Sequence, residues 1–262
     1  MTEQLVVVKI GGSTLGRNDT SLADFVALQH LNRRIVVVHG GGGEVNRWLS
    51  HLGYEARFVN GLRVTGAQEL DVVAAVLSGL VNKRLVLALN AAGGRAVGLS
   101  GVDAGFLHAQ IEDESLGYVG TITRVEPAVV TSLLDDGFLP VVSSICWGKR
   151  DGKATLLNVN ADDVAVEIAA AAKATRLIYL TDVPGIMDNN KDVLGRLTTS
   201  QVRELIASGI IAGGMVPKAR ACMAASQHVA ETRIIDGTVE HALLREFDEG
   251  TGGTSVVRDE LA

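Results

Sequence analysis

Short apolar runs recur along the chain, and most end in glycine or a small polar residue. The first covers residues 5–10 and the second residues 35–38, and later runs lie near residues 96–99, 138–145, 177–180 and 233–235. Continuous apolar runs of this length are typical of strands buried on both faces of a parallel sheet. Helical patterns separate these runs, so the sequence predicts an α/β fold.

The longest helical pattern covers residues 67–91, and its apolar positions form one face. These positions are Leu70, Val73, Ala74, Leu77, Leu80, Val81, Leu85 and Leu89. So much apolar surface on one helix predicts that it packs both on the core and on a partner subunit.

Two glycine loops follow the first two predicted strands. Lys9 precedes Gly11 and Gly12, and His39 precedes four consecutive glycines at residues 40–43. Glycine N–H groups at a strand end can approach an anion closely, and the helix predicted from residue 44 adds its N-terminus. The glycine spacing fits neither the dinucleotide fingerprint nor the Walker loop. The loops therefore predict a phosphate site of another kind. For the first loop, the structural alternative is a simple turn in which Lys9 extends its ammonium group to solvent. We interpret His39 as a structural hydrogen-bonding residue.

Polar residues in three later segments could complete such a site. Arg63 suits bidentate capture of a carboxylate, although a solvated surface arginine fits the same position. The cluster of Asn158, Asn160 and Asp162 precedes a helical run that needs only one N-cap residue. The remaining side chains could hold polar atoms of a substrate or orient lysines.

Two lysines could surround a transferring phosphoryl group. Lys9 ends a predicted strand, and Lys218 begins a predicted helix after a glycine pair. Asp162 and Asp182 could hold these lysines in place, which predicts catalysis by positioning and electrostatics rather than through a covalent intermediate.

Composition excludes several other classes of function. The chain has 262 residues, of which 47% are hydrophobic, and its formal net charge is −6. Mild acidity argues against a nucleic acid or an anionic membrane as the main partner. Cys146 and Cys222 match no metal-binding spacing and fit a reducing compartment. We find no signal peptide and expect no membrane-spanning run, which predicts a cytoplasmic protein.

The motifs VVVKIGGS, VVVHGGGGEVN, NGLRVT, LNVNADDVA, YLTDVPGI and GGMVPK closely resemble the amino acid kinase superfamily, and within it the acetylglutamate kinase family. The resemblance runs over residues 5–257. It implies a three-layer αβα sandwich around a mostly parallel open sheet, the carbamate kinase-like fold. It also implies ATP-dependent phosphorylation of the γ-carboxylate of N-acetyl-L-glutamate, a step of arginine biosynthesis, with Mg²⁺ held mainly by the phosphates.

The resemblance also implies roles for individual residues. Lys9, Lys218 and Asp162 match the catalytic positions. The acceptor-binding positions are matched by Gly41, Gly42, Arg63 and Asn158, with Asn160 beside them. The nucleotide-binding positions are matched by Gly11, Gly12, Asp182, Val183, Pro184, Gly185, Ile186, Met187, Ile210, Ile211, Ala212, Gly213 and Gly214. No residue is predicted to be a metal ligand.

Two alternatives remain open at this stage. One is a kinase for aminoadipate or glutamate attached to a small acidic carrier protein, whose entrance should be basic. The other is a non-catalytic amino-acid or nucleotide sensor on a kinase fold, which loss of the lysines would indicate. Isopentenyl phosphate kinase fits poorly because the loop at residues 40–46 has no histidine, and aspartokinase is disfavoured because we expect no regulatory domain after residue 257.

The resemblance and the long apolar helix together predict an assembly. We expect residues 1–175 to form an acceptor-binding and dimerisation lobe, and residues 176–262 a nucleotide-binding lobe. The resemblance implies that members of the family inhibited by arginine carry an extra N-terminal helix, which links dimers into a hexameric ring. Only four residues precede the first strand here, which is too few for a helix. We therefore expect a homodimer that arginine does not inhibit.

Overall fold

The computed structural model describes residues 4–11, 20–59, 61–250 and 252–261. Their strands are β1 (Leu5–Ile10), β2 (Arg34–His39), β3 (Phe58–Val59), β4 (Leu62–Arg63), β5 (Ala96–Ser100), β6 (Leu107–Gln110), β7 (Thr121–Val125), β8 (Leu139–Ser143), β9 (Ile145–Arg150), β10 (Lys153–Asn158), β11 (Arg176–Thr181), β12 (Arg196–Thr198), β13 (Glu231–Asp236) and β14 (Thr254–Val257). Their α-helices are α1 (Ser21–His30), α2 (Gly42–His51), α3 (Ala67–Ala74), α4 (Asn82–Ala91), α5 (Ala128–Asp135), α6 (Ala161–Ala171), α7 (Thr199–Ala207), α8 (Met215–Ala225) and α9 (Ala242–Asp248).

The main sheet has eight strands in the order β12-β14-β13-β11-β1-β2-β8-β5. All neighbouring pairs are parallel except β13 and β14. Parallel strands need crossover connections, and the helices between them supply these. The α/β fold and the mostly parallel sheet are therefore confirmed. β11 pairs directly with β1, so the sheet continues across residue 176, and the division into two lobes stays a prediction.

Two apolar clusters cover the two faces of this sheet, which makes three layers. Alternate strand residues such as Val7 and Tyr179 join α5, α6 and α8 on one face. Their neighbours, such as Val8 and Ile178, join α1, α4 and α9 on the other. Side chains alternate along a strand, and both faces of β1 are buried, which explains why residues 5–8 are all apolar.

The strand predicted over residues 138–145 is present as β8, which ends at Ser143, and the last residue of the run, Ile145, begins β9. β8 lies in the main sheet, whereas β9 turns into a second sheet of order β10-β9-β6-β7. β9 and β10 are antiparallel and meet at Asp151 and Gly152, whose φ angles are 51° and 74°. Those values suit the two-residue turn that the Asp-Gly pair predicts.

The long helix predicted at residues 67–91 is present but interrupted. Residues Ala75–Val81 form a π-helical segment between α3 and α4. By length and composition alone, this helix is long and apolar enough to cross a membrane, so the expectation that no run could do so is wrong. It packs on the main sheet through Leu85 and Leu89, as the core helix of a globular protein does.

Candidate active site

Three charged side chains from distant parts of the chain meet at the carboxyl edge of the main sheet. Lys9 lies near the end of β1, Asp162 in the first turn of α6, and Lys218 in the first turns of α8. The Lys9 Nζ is 2.7 Å from Asp162 Oδ1, and the Lys218 Nζ is 3.8 Å from Asp162 Oδ2. The structure thus brings together the three residues that the sequence predicts to be catalytic.

Asp162 is held in this position by the start of its own helix. The side chain of Asn160 caps α6 by accepting a hydrogen bond from the Asp162 N–H at 2.8 Å. Burial opposes ionisation of the Asp162 carboxyl, but Lys9 and Lys218 outweigh it and hold its pKa below the usual value. Asp162 is therefore a carboxylate at neutral pH and fixes two ammonium groups on one side of the site.

Arg63 approaches the site from the β3–β4 hairpin. Its Nη2 donates to Asn46 Oδ1 at 2.6 Å and to the Gly42 carbonyl at 3.3 Å. Its guanidinium carbon lies 4.7 Å from the centre of the Phe58 ring. The Nη1 group is buried and has no hydrogen-bond partner among the described residues. A buried donor without a partner is costly, so this atom marks a place for an acceptor oxygen.

The second glycine loop opens a helix earlier than the sequence predicts. α2 begins at Gly42 rather than at residue 44, with Gly41 as its N-cap. Gly41 has a φ of 158°, and a Cβ there would lie 2.8 Å from a Leu77 methyl carbon. Glycine at this position lets the helix N-terminus lie close against the wall of the site, where it favours a bound anion.

A cavity of about 380 Å³ contains all of these groups. Besides Lys9, Asp162 and Lys218, it is lined by residues predicted to bind the acceptor: Gly41, Gly42, Arg63, Asn158 and Asn160. The Asn158 amide donates to the Thr65 hydroxyl at 3.1 Å, which orients its side chain. The cavity therefore combines two lysine ammonium groups with a guanidinium whose planar fork can bind a carboxylate. This combination is suited to a small anionic substrate.

The residues predicted to bind the nucleotide do not all line one cavity, unlike those predicted to bind the acceptor. Gly214 lines the same cavity, whereas Pro184 lines a separate cavity of about 1090 Å³. Ile186 and Ile211 are buried. The Gly11 N–H donates to the Leu180 carbonyl at 3.1 Å. Gly12 lies outside the described residues.

The other residues predicted to bind the nucleotide lie in the connections that follow β11 and α7. Asp182 and Val183 directly follow β11, and Gly185 has a φ of 147°. Met187 bridges to Val193, and Gly213 precedes α8 with a φ of 55°. Ile210 and Ala212 lie in the same connection from α7 to α8. The nucleotide roles of all these residues stay predictions.

Sequence reasoning missed several cavity residues. Leu62, a neighbour of Arg63 in the chain, is one of them. Asn46 does not line the cavity but holds Arg63 there, and its place one turn into α2 is a usable signal. Val73 and Leu77 line the cavity as well, and nothing in their apolar patterns separates them from core positions. Among the described residues, no group of three histidine, cysteine, aspartate or glutamate side chains is placed to hold a metal ion.

The chain belongs to the amino acid kinase family, whose pattern matches residues 4–236. A relative named acetylglutamate kinase, from Dehalococcoides mccartyi strain BAV1, is 44% identical over 99% of this chain and 97% of its own length. This agrees with the resemblance found from the motifs.

Solved structures share the fold. The smu.665 protein of Streptococcus mutans UA159 superposes with a TM-score of 0.85 at 30% identity, over 98% of this chain and 100% of that one. N-acetylglutamate synthase from Neisseria gonorrhoeae, complexed with coenzyme A and N-acetyl-glutamate, gives a TM-score of 0.85 at 25% identity, over 99% of this chain and 60% of that one. Carbamate kinase from Giardia lamblia, bound to AMP-PNP, gives a TM-score of 0.75 at 15% identity, over 98% of this chain and 99% of that one, so the carbamate kinase-like fold is confirmed.

Proposed function

We propose that the protein phosphorylates the γ-carboxylate of N-acetyl-L-glutamate with ATP, giving N-acetyl-L-glutamyl 5-phosphate, a step of arginine biosynthesis in the cytoplasm. The observation that carries the proposal is the shared cavity: Arg63, whose buried Nη1 has no hydrogen-bond partner among the described residues, lines the same space as Lys9 and Lys218. One end is suited to a carboxylate and the other to a transferring phosphoryl group. The relatives named acetylglutamate kinase support the choice of acceptor.

Arg63 would bind a carboxylate of the acceptor, with Asn158 holding a neighbouring polar atom. The guanidinium already has Asn46 and Gly42 as fixed partners through Nη2, so its plane is set before substrate arrives. Preorganisation of this kind saves the entropy of ordering a long side chain on binding.

Phosphoryl transfer would use the opposite end of the cavity. An oxygen of the γ-carboxylate attacks the γ-phosphorus of ATP, the bond to the β,γ-bridging oxygen breaks, and ADP leaves. The carboxylate is already ionised at neutral pH, so no general base is needed. Lys9 and Lys218 would stabilise charge on the transferring and leaving oxygens, and Asp162 would keep both lysines in place.

The nucleotide would bind toward residues 182–187 and 210–214, in the proposed nucleotide lobe of residues 176–262. Mg²⁺ would arrive with ATP, since the described residues offer no cluster of metal ligands. Phosphate oxygens are hard ligands that suit this ion, which would neutralise part of the negative charge of the nucleotide.

A coupled ADP-release assay tests the proposal with two acceptors, free N-acetyl-L-glutamate and glutamate attached to a carrier protein. We expect turnover with the free acceptor and little with the carrier-bound one. Preference for the carrier-bound acceptor would favour the related kinase class. Binding of N-acetyl-L-glutamate without turnover in the presence of MgATP would indicate a sensor.

A further inference from the structure

A chain of buried polar groups runs behind the glycine loop, outside the cavity. His39 ends β2 and is fully buried. Its Nδ1 lies 2.7 Å from the Gly40 carbonyl oxygen, and its Nε2 lies 3.1 Å from Nδ2 of the buried Asn82. The imidazole thus links the backbone of the glycine loop to the first residue of α4.

The neighbours of Asn82 determine which nitrogen of His39 carries the hydrogen. The Asn82 Nδ2 also donates to the Val141 carbonyl at 2.9 Å, and its Oδ1 accepts from Lys83 Nζ at 3.0 Å. Both contacts fix the amide with its nitrogen toward His39. The His39 Nε2 must therefore be an acceptor, so the hydrogen lies on Nδ1 and is donated to the Gly40 carbonyl.

This donated hydrogen bond sets the direction of the next amide. The Gly40 carbonyl and the Gly41 N–H belong to one planar peptide unit and point in opposite directions. Holding the carbonyl toward His39 therefore turns the Gly41 N–H away from it. Gly41 lines the cavity and His39 does not, so the bond fixes how the loop presents its backbone to a bound acceptor.

The π-helical segment Ala75–Val81 supports the same arrangement. It ends directly before Asn82, and its Leu77 and Val81 side chains pack over Gly41. Such segments are rare, and they occur frequently at functional sites. The long helix thus contacts the glycine loop in two ways. The Asn82 amide bonds to His39 behind the loop, and the Leu77 and Val81 side chains pack beside Gly41.

We propose that His39 is a positioning residue for the acceptor: as the Nδ1–H tautomer held by Asn82, it fixes the Gly40–Gly41 peptide that binds N-acetyl-L-glutamate. The proposal rests on the proposed function. It assigns His39 no contact with substrate and no proton transfer. Its loss should therefore weaken acceptor binding rather than the chemical step.

Two substitutions separate the two hydrogen bonds of His39. In His39→Asn, the amide nitrogen can replace Nδ1 and still donate to the Gly40 carbonyl. In His39→Gln, the amide oxygen can replace Nε2 and accept from Asn82, but the bond to Gly40 is lost. We expect His39→Gln to raise the acceptor KM about fivefold to tenfold, as loss of one hydrogen bond does, with the KM for ATP within twofold of the parent value. His39→Asn should stay closer to the parent.

The matched control is His30→Gln. His30 also lies against a backbone carbonyl, that of Gly93, with its Nε2 at 3.2 Å, but far from the cavity. It should leave both KM values unchanged. Equal acceptor KM values for His39→Asn and His39→Gln, or a change confined to the KM for ATP, would overturn the proposal.

Two measurements do not depend on turnover. Nitrogen NMR of the parent protein should show His39 as the Nδ1–H tautomer, and an Nε2–H tautomer would contradict the proposal even if the variants fail to fold. Amide hydrogen exchange at residues 40–44 should be faster in His39→Gln than in His39→Asn, and equal rates would count against it. If the parent protein does not phosphorylate N-acetyl-L-glutamate, the proposed function fails while these two measurements still test the role of His39.

Discussion

Lys218 is the residue whose removal should separate chemistry from folding most cleanly. Its side chain is 25% exposed, and Asp162 has a second and closer partner in Lys9 at 2.7 Å, so the carboxylate would stay paired without Lys218. We expect Lys218→Ala to lower turnover about 10²–10³-fold, the size of effect seen when one preorganised donor is removed from a transition state. Lys9→Ala should have a similar kinetic effect and a larger effect on stability, because Lys9 is the closer partner of a buried carboxylate.

Steady-state kinetics and a denaturant titration measure both effects. The control is Lys153→Ala, at an exposed position at the start of β10. It should change neither quantity. Turnover of Lys218→Ala within a few-fold of the parent would remove Lys218 from the mechanism.

Arg63 should determine affinity for the acceptor alone. A lysine can supply charge but not the planar fork of donors that a guanidinium presents. Arg63→Lys should therefore raise the KM for N-acetyl-L-glutamate at least tenfold and leave the KM for ATP nearly unchanged. Arg203→Lys, at an exposed position on α7, is the control. A change in the KM for ATP would show that the two ends of the site are misassigned.

His39 should make stability depend on pH. Burial lowers its pKa from about 6.5 to about 4; the bond to Gly40 opposes this shift, whereas the charges of Lys83 and Lys9 add to it. Between these values the unfolded chain binds a proton that the folded chain does not, so the free energy of unfolding falls as pH falls from 6.5 toward 4. From pH 7 to pH 5 the contribution of His39 alone should be a loss of about 2 kcal/mol. Asp163 offsets part of this loss, because burial and the charges of Asp162 and Glu167 raise the pKa of its carboxyl to about 6, so that the folded chain takes up a proton that the unfolded chain does not.

Urea titrations at pH 7 and pH 5 measure this loss. His39→Asn removes the titrating group and should lose about 2 kcal/mol less over the same interval. A parallel decline in the two proteins would show that His39 takes up a proton as readily in the folded protein as in the unfolded chain.

The start of α6 links helix stability to the site. Asn160→Ala removes the cap and should cost about 1 kcal/mol, as cap losses do. Because the lost acceptor holds the Asp162 N–H, turnover should also fall. Thr198→Ala is the matched control, since Thr198 caps α7 in a capping box with Gln201. It should cost a similar free energy without lowering turnover. Equal turnover in the two variants would mean that the α6 cap has no role in placing Asp162.

Elements with strong local patterns could be predicted, and those decided by packing could not. β1 and β2 have apolar runs that only a doubly buried strand explains. The start of α2 inside the glycines was missed because propensity disfavours glycine in helices, while contact with Leu77 selects it. β8 could be predicted as well, whereas β9 could not, because its second half is Gly-Lys-Arg and no continuous apolar run marks it as a strand.

The parts of the site that could be predicted are the charged residues that lie within recognisable motifs. Lys9, Asp162, Lys218 and Arg63 were all expected and all line one cavity. The bond between Arg63 and Asn46 and the bond between His39 and Asn82 join residues far apart in sequence. No periodicity reports such pairings, because they arise only when the folded chain brings β4 against α2 and the end of β2 against the start of α4.

At the scale of the whole molecule, we propose that the helix over residues 67–91 forms a twofold interface. Its inner side packs on the sheet, yet Leu87 is 69% exposed, and Ala75 and Gly79 are exposed at helical spacing with it. Lys83 also lies in this strip, and its Nζ is turned to Asn82 and to the Gly98 carbonyl. An isologous interface would bury this strip against its own copy, and its small residues would let two helices approach closely.

Light scattering should therefore give a mass close to twice that of one chain, with apparent stability rising with protein concentration. Leu87→Glu would place two carboxylates at the twofold axis and should give a monomer. Leu31→Glu is the control, because Leu31 is 62% exposed at the end of α1, away from the strip. It should remain a dimer. If Leu87→Glu stays dimeric, the interface lies on another face, and if the parent protein is a monomer, the exposed strip on this helix has no partner in a second copy of the chain.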